Sequence, residues 1–160
     1  MLLHLLRHAH AGNPEAWDGP DAARPLSEKG RDQAEKLGAF LADIAFKTDA
    51  IVTSPKLRAA ETAEIVAGHL GVVVTEDDRL AGSLDLDALE AVLARAEDPD
   101  RAVIVGHDPD FSELLGELCD AANVPMRKGA FARIECDRPL RPGGGTLRWL
   151  IAPDALRSER

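Results

Sequence analysis

Aromatic side chains are scarce in this sequence, and tyrosine is absent. Phe and Trp together make up 4% of the 160 residues, so a stacking platform for single-stranded nucleic acid is not expected. Positive charge is also in deficit, because 28 acidic against 19 basic residues give a formal net charge of −9 at pH 7. Proteins that neutralise a phosphate backbone are basic, so we expect no nucleic-acid partner. A local cluster of Arg and His can still bind a small anion.

Cysteine and long apolar runs are lacking too. Cys119 and Cys136 have no CxxC spacing, which argues against a disulfide framework or a zinc site and favours buried thiols in a reducing compartment. No run approaches the ~18 apolar residues that span a bilayer. The apolar run at the N-terminus has no basic segment before it and ends at Arg7. We therefore expect a cytoplasmic protein with neither a signal peptide nor a membrane partner.

Short apolar runs alternate regularly with segments of helical periodicity. The chain is long enough for one well-buried core and shows no repeat or domain-sized linker, so we expect a single domain over 1–160. The predicted strands cover 2–7, 50–53, 72–74, 102–105, 130–136 and 146–151, and the predicted helices cover 28–45, 55–69, 85–96 and 109–121. This order predicts an α/β three-layer sandwich, with a mainly parallel central sheet of about six strands and helices on both faces.

Capping residues and breakers set the predicted boundaries. Ser27 is the expected N-cap of the first helix, and Ser54-Pro55 and Asp108-Pro109 each place a capping side chain before a proline at the first helical position. Either Ser83 or Asp85 caps the third helix. Residues 9–25 are dense in Gly and Pro and predict a long loop, a feature that is often functional in a small domain. Residues 76–79 are expected as a charged loop and 157–160 as a frayed tail.

Arginine and histidine side chains follow three of the predicted strands. Arg7 and His8 end the first, Arg58 lies beyond the second, and His107 ends the fourth. Carboxyl ends of parallel strands meet at one edge of a sheet, so we expect these side chains to share one crevice, with no acidic side chain among them. Such a cluster suits a phosphoryl group. A neutral imidazole there can attack phosphorus while the other groups stabilise charge on the phosphoryl oxygens.

Four segments in the same order resemble the histidine phosphatase superfamily, the phosphoglycerate-mutase-like proteins. They are Leu6-Arg7-His8-Ala9, Pro25-Leu26-Ser27-Glu28-Lys29-Gly30 with Gln33-Ala34, Ser54-Pro55-Lys56-Leu57-Arg58-Ala59-Ala60-Glu61-Thr62-Ala63, and Val105-Gly106-His107. The chain is short, without insertions to cover the site, and is most similar to the small SixA-like branch, which removes phosphate from phosphohistidine on proteins. The resemblance implies that His8 is the nucleophile and that Arg7, Arg58 and His107 bind phosphate.

The general acid is left open by this resemblance. One possibility is the loop after the third strand, which offers Glu76, Asp77 and Asp78, and the other is Asp108, directly after the second histidine. Asp108 is equally expected as a helix N-cap, and the two roles are compatible. A phosphohistidine substrate has less need of an acid, because its P–N bond is already labile.

Two further side chains have alternative interpretations. His8 and His10 have the spacing of a metal-binding pair, but His4, the third imidazole, is expected to be buried in mid-strand, and barrels with such a pair need a longer chain. We therefore expect no metal, with His10 at the rim of the pocket. Lys128 either offers a cation to the site or is simply solvated.

These observations together predict a phosphatase that needs no metal or cofactor and forms a phosphohistidine intermediate on His8. The expected substrate is a phosphorylated protein or a small phosphorylated metabolite, and the expected assembly is a monomer or a small homo-oligomer. The alternative is a regulatory module that binds phosphate or phosphohistidine with little turnover. A metal-dependent hydrolase at His8 and His10 is the third hypothesis.

Overall fold

Six strands and four α-helices alternate along the chain, in a computed structural model that describes residues 1–156. The expected frayed tail, 157–160, lies outside the described residues. The strands are β1 (Leu2–Arg7), β2 (Ala50–Thr53), β3 (Val74–Glu76), β4 (Arg101–Gly106), β5 (Phe131–Cys136) and β6 (Gly145–Ile151). The helices are α1 (Glu28–Asp43), α2 (Leu57–Leu70), α3 (Leu86–Arg95) and α4 (Asp110–Cys119). Within the described range, no helix has the length and apolar character to cross a membrane.

The strands form one sheet in the order β3-β2-β4-β1-β5-β6. The first four strands in this order run parallel, whereas β5 is antiparallel to β1 and β6 is antiparallel to β5. The central strands β1 and β4 are buried on both faces, as their predominantly apolar sequences predict. The prediction of a mainly parallel sheet of about six strands is confirmed.

Helices cover both faces of this sheet. On one face, α1 and α2 pack through residues such as Leu37, Leu41 and Val66 against Leu6 and Val103. On the other face, α3 and α4 enclose a second core that includes the strand residues Leu5 and Ile104. The three-layer arrangement predicted from the sequence is therefore present.

The direction of the chain reverses at β4. The connections from β1 to β2 and from β2 to β3 move towards one edge of the sheet, through α1 and α2. The chain then returns through α3 to insert β4 between β2 and β1, and it leaves β4 through α4 on the opposite face. Neighbouring strands whose connections leave on opposite faces open a crevice at their carboxyl ends, where ligands bind in this class of fold.

The starts of α2 and α4 differ from the sequence prediction. Helix α2 begins at Leu57 rather than at Pro55, because the Ser54 hydroxyl closes a local turn with the amide of Lys56 at 3.2 Å. Helix α4 begins at Asp110, with Pro109 at the N-cap position. The Asp108 side chain lies outside this cap but still accepts from the amide of Ser112 at 3.0 Å, so it fulfils the capping function from one position earlier.

Strand β3 also lies later than predicted, over Val74–Glu76 instead of 72–74. The amides of Gly71 and Val72 both donate to the carbonyl of Ala67, which closes the end of α2 in the left-handed conformation typical of Gly. Pairing with β2 therefore starts only at Val74, and Glu76 belongs to the strand rather than to the predicted charged loop.

Candidate active site

The ends of β1, β2 and β4 lie at one level of the sheet. Arg7 pairs with Gly106 in the parallel register of β1 and β4. One residue further on, the amide of His8 donates to the carbonyl of Gly106 at 2.9 Å, and the amide of Ser54 donates to the carbonyl of Val105 at 2.9 Å. The register therefore brings the residues after all three strands to one place, as the sequence pattern predicts.

His8 is almost fully buried, with 6% of its surface exposed. Its Nδ1 lies 2.8 Å from the carbonyl oxygen of Ala9. A carbonyl oxygen only accepts, so Nδ1 carries the proton and Nε2 keeps its lone pair. Burial, together with the charges on Arg58 and Arg7, lowers the pKa of His8 to about 4, although the hydrogen bond to Ala9 acts in the opposite direction. The ring is thus neutral at pH 7, the state in which Nε2 is a nucleophile.

The ring of His107 lies beside that of His8, with 5.2 Å between the centroids. Its Nε2 is 2.7 Å from the hydroxyl of Ser54, which already accepts from the amide of Lys56. That hydroxyl has a proton that it can donate to Nε2, and when it does so the His107 proton lies on Nδ1. Nδ1 is buried without a hydrogen-bond partner among residues 1–156. Burial, and then the fields of His8 and Arg58, lower the pKa of His107 to about 3, so the ring is neutral at pH 7.

Two guanidinium groups complete the predicted cluster, and each has an acidic neighbour. Arg7 donates from Nη1 to the carbonyl of Met126 at 2.7 Å and lies 3.6 Å from Oδ2 of Asp108. Arg58 donates from Nη1 and Nη2 to the backbone oxygen and the carboxylate of Asp21, at 2.9 and 3.0 Å. The expectation that no acidic side chain accompanies these arginines is wrong. The sequence spacing gave no reason to expect Asp21 here, because it lies in the long loop.

A third arginine, Arg24, belongs to the same region and was missed by the sequence reasoning. It is buried, donates from Nη1 to the carbonyl of Ala11 at 2.7 Å, and lies 3.5 Å from Asp21. The Nε atoms of Arg7, Arg24 and Arg58 are all buried without a partner in the described part of the chain. Arg24 lies in a loop without periodicity, so the sequence does not indicate where its side chain points. Its position next to the Pro25–Gly30 segment is a signal that could have identified it.

Thr62 and Gln33 link the residues around His8. The Thr62 hydroxyl donates to the carbonyl of Arg58 at 2.7 Å and accepts from the amide of Ala9 at 3.1 Å. The Gln33 side chain accepts from the amide of His10 at 3.0 Å. Thus α1 and α2 each hold the backbone that follows His8 through one polar side chain.

The candidates for the general acid occupy different places. The Asp108 carboxylate lies beside Arg7, and its Oδ2 is 2.6 Å from the hydroxyl of Ser112. Asp77 is buried in another cavity, where it binds Arg79 at 2.9 Å and Arg95 at 3.4 Å. Glu76 also lines that cavity. Within residues 1–156, Asp108 is the only one of these candidates that forms an ion pair with a predicted phosphate-binding residue. Its role as the acid stays a prediction.

His10 and Lys128 line a cavity of about 500 Å³ that Arg7 also borders. His10 Nδ1 is 2.6 Å from the hydroxyl of Ser27, the N-cap residue of α1. Burial and then the charges of Lys128, Lys29 and Arg24 lower the pKa of His10. In the described range, no three His, Cys, Asp or Glu side chains are grouped as metal ligands would be.

This geometry has counterparts among known proteins. The sequence model of the histidine phosphatase superfamily (branch 1) matches residues 3–117. Phosphohistidine phosphatase SixA of Escherichia coli is 26% identical over 98% of this chain and 97% of its own length. An uncharacterized Picosynechococcus protein is 37% identical over 84% of this chain and 89% of its own. A structure of protein histidine phosphatase SixA with tungstate superposes with a TM-score of 0.82, at 26% identity, over 98% of this chain and 100% of that one.

The chain therefore belongs to the histidine phosphatase superfamily (branch 1), and it is a phosphatase similar to SixA along almost its entire length. The family recognised from the four sequence segments is confirmed.

Proposed function

We propose that this protein removes the phosphoryl group from phosphohistidine on a protein substrate, through a covalent phosphohistidine intermediate on His8. The observation that carries the proposal is the buried, neutral imidazole of His8, whose unprotonated Nε2 lies among Arg7, Arg58 and His107. The similarity to Phosphohistidine phosphatase SixA over both full lengths supports the substrate class.

In the first step, the Nε2 lone pair of His8 attacks phosphorus and the bond from phosphorus to the leaving group breaks. The guanidinium groups of Arg7 and Arg58 and the Nδ1–H of His107 stabilise the charge on the phosphoryl oxygens. Asp108, beside Arg7, is our candidate to supply the leaving group with a proton. Water then attacks phospho-His8 and gives a proton back to Asp108, the P–N bond breaks, phosphate leaves, and the neutral imidazole of His8 is regenerated.

The proposal includes small phosphate esters as substrates, because Arg7, Arg58 and His107 recognise the phosphoryl group rather than the group that carries it. We propose a cytoplasmic location and a single domain that works as a monomer or small homo-oligomer. Both cysteines are free thiols, which is consistent with a reducing compartment.

Replacement of the nucleophile tests the proposal directly. His8→Ala should lower the turnover of phenyl phosphate and of a phosphohistidine protein by about a thousandfold or more, the order of effect expected when a nucleophile is removed. The matched control is His69→Ala, an exposed histidine on α2 that contacts Glu35, and it should keep full activity. Rapid quenching with labelled substrate should trap the label on residue 8 in an acid-labile, alkali-stable form.

Two results would count against this function. Substantial activity in the His8→Ala variant would exclude the covalent step. Release of no more than one phosphate per protein molecule would favour the alternative, a module that binds phosphohistidine without turnover.

A further inference from the structure

The cavity beside the phosphate pocket is rich in cations. Arg7, one of the predicted phosphate-binding residues, lines this cavity, so the cavity lies next to the proposed site of phosphoryl transfer. Its other basic lining residues are His10, Lys29, Lys36, Arg127 and Lys128. A protein of net charge −9 has thus concentrated positive charge next to its nucleophile. Such a concentration raises the local potential for anions.

Two of these cations are compensated and two are not. Lys36 binds Asp32 at 2.7 Å, and Arg127 lies 3.9 Å from Asp154. Lys29 and Lys128 have no carboxylate partner among the ion pairs of residues 1–156. Lys29 and Lys128 are therefore available to a ligand, and the repulsion between their ammonium groups is relieved when an anion binds.

Lys128 is held in place by the same strand end that carries the nucleophile. The amide of Gly129 donates to the carbonyls of Arg7 and His8, at 3.1 and 3.0 Å. Arg7 in turn donates to the carbonyl of Met126. The backbone around Lys128 is thus bonded to both sides of the catalytic strand end, which fixes its distance from His8. Burial and then the charges of Arg7, Arg24 and Lys29 lower the pKa of Lys128, so its ammonium group lies close enough to these cations to be repelled by them.

Lys29 stands where the α1 backbone does not favour a cation. It is the second residue of α1, and the positive end of the helix dipole repels a cation in the first turn. The same helix end is favourable to an anion, because its orphan amides and dipole attract negative charge. A lysine at this position is explained by a bound anion better than by helix stability.

We infer that Lys128 and Lys29 form a second anion subsite, which binds a phosphate or carboxylate group that the substrate carries beside its reacting phosphoryl group. The inference rests on the proposed function, because it assigns a substrate property to that same site. The shared chemistry has two possible sources: a second acidic group on a small molecule, or an acidic side chain next to a phosphohistidine.

Binding of phosphonates tests this subsite without any turnover. Alkane bisphosphonates of increasing chain length are titrated by calorimetry against alkylphosphonates of the same lengths. For at least one length the bisphosphonate should bind about tenfold more tightly, the scale of one charge-assisted contact. In Lys128→Ala and Lys29→Ala the preference should fall to about twofold, the statistical advantage of two equivalent ends. Lys47→Ala, which removes an exposed lysine elsewhere, is the matched control and should keep the full preference.

The inference is overturned if the wild-type protein binds both series equally at every length, or if both lysine variants keep the preference.

Peptides with phosphohistidine flanked by Glu or by Ala identify the source of the second anion. A lysine-dependent preference for the Glu peptide assigns the anion to a protein substrate, and a preference for bisphosphonates alone assigns it to a small molecule. Because phosphonates are not hydrolysed, the phosphonate titrations stay interpretable even if the His8 test of the proposed function fails.

Discussion

At the scale of single residues, proton positions decide what each histidine of the site can do. His8 donates from Nδ1 to a backbone carbonyl and so presents a lone pair on Nε2. His107 Nε2 lies 2.7 Å from the Ser54 hydroxyl, and donation by this hydroxyl leaves the His107 proton on Nδ1. With these proton positions the two adjacent rings expose opposite groups, a lone pair on His8 and an N–H on His107. Each tautomer is set by one neighbouring group rather than by the histidine itself.

Ser54 is accordingly a positioning residue, and its removal should reveal this. In Ser54→Ala, His107 loses the contact that fixes its proton on Nδ1, so we expect kcat/KM for phenyl phosphate to fall about tenfold, the value of one hydrogen bond. Nitrogen NMR of the histidine side chains should show His107 shifting from the Nδ1–H form towards a mixture of tautomers. Unchanged activity together with an unchanged tautomer would contradict this role, and a purely structural role would leave the tautomer as it is.

The sequence predicted the arginines and histidines at or after strand ends, but it missed the residues of the long loop and the role of Ser54. Arg7, His8 and His107 directly follow buried apolar runs, so their convergence is a consequence of parallel pairing. Asp21 and Arg24 reach the site from the long loop, where no period relates sequence position to direction. Ser54 was interpreted as a helix cap, because the sequence cannot show that its hydroxyl faces His107.

At the scale of elements, the contact between α1 and the loop after β1 controls the geometry near His8. A Cβ on Gly30 would lie 1.9 Å from the carbonyl oxygen of His10, which is backbone and cannot turn away. Gly30→Ala should therefore push this loop from α1 and destabilise the fold by about 1–3 kcal/mol, as overpacking does. Urea unfolding measures the stability, and the activity on phenyl phosphate should fall with it.

Gly68→Ala is the matched control for this substitution. Gly68 lies in α2, and a Cβ there meets no atom within 4 Å. Here alanine should stabilise the protein by about 0.5–1 kcal/mol, because it lowers the backbone entropy of the unfolded chain. Two Gly-to-Ala changes in helices should thus have opposite signs. Equal effects would show that the α1 contact is not close-packed.

The accuracy of the element predictions follows from the strength of each local signal. α1 begins after Ser27 as predicted, because the Ser27 hydroxyl accepts from the amide of Gly30 at 3.1 Å. β3 was misplaced, because Val72 and Val73 have strand propensity but Val72 is used to close α2. Propensity gives way to the hydrogen bonds of the preceding helix end in this case.

At the scale of the whole molecule, charge and topology act together. The overall negative charge does not extend to the carboxyl edge of the sheet, where Arg7, Arg24, Arg58 and Lys128 gather. The reversal at β4 explains this placement, since it brings the ends of β1, β2 and β4 to the crevice between the two helical layers. Net charge calculated from composition excluded nucleic acid as an expected partner but carried no information on this local cluster.

Burial of neutral histidines should make the stability of the molecule depend on mild acid. The folded-state pKa values of His4 and His8 are about 4 and that of His107 is about 3, below the ordinary value of 6.5. As the pH falls from 6.5 to about 4, these three histidines bind protons in the unfolded chain but stay neutral in the folded protein. The free energy of unfolding should therefore fall through this window, by up to about 1.4 kcal/mol per pH unit for each histidine.

Urea unfolding between pH 7 and 5 in a phosphate-free buffer measures this slope, and His4→Gln isolates one contribution to it. His4 is fully buried, donating from Nδ1 to Ala102 and accepting from Arg133 at Nε2, so the ring is neutral in the fold. The variant should be less stable at pH 7, because these hydrogen bonds change, but its stability should fall less steeply with acid. The carboxylates contribute equally to the pH dependence of stability in the wild type and in the variant. The difference between their two slopes of unfolding free energy against pH is therefore due to His4. Identical slopes would mean that His4 binds its proton equally well in the folded and unfolded chains.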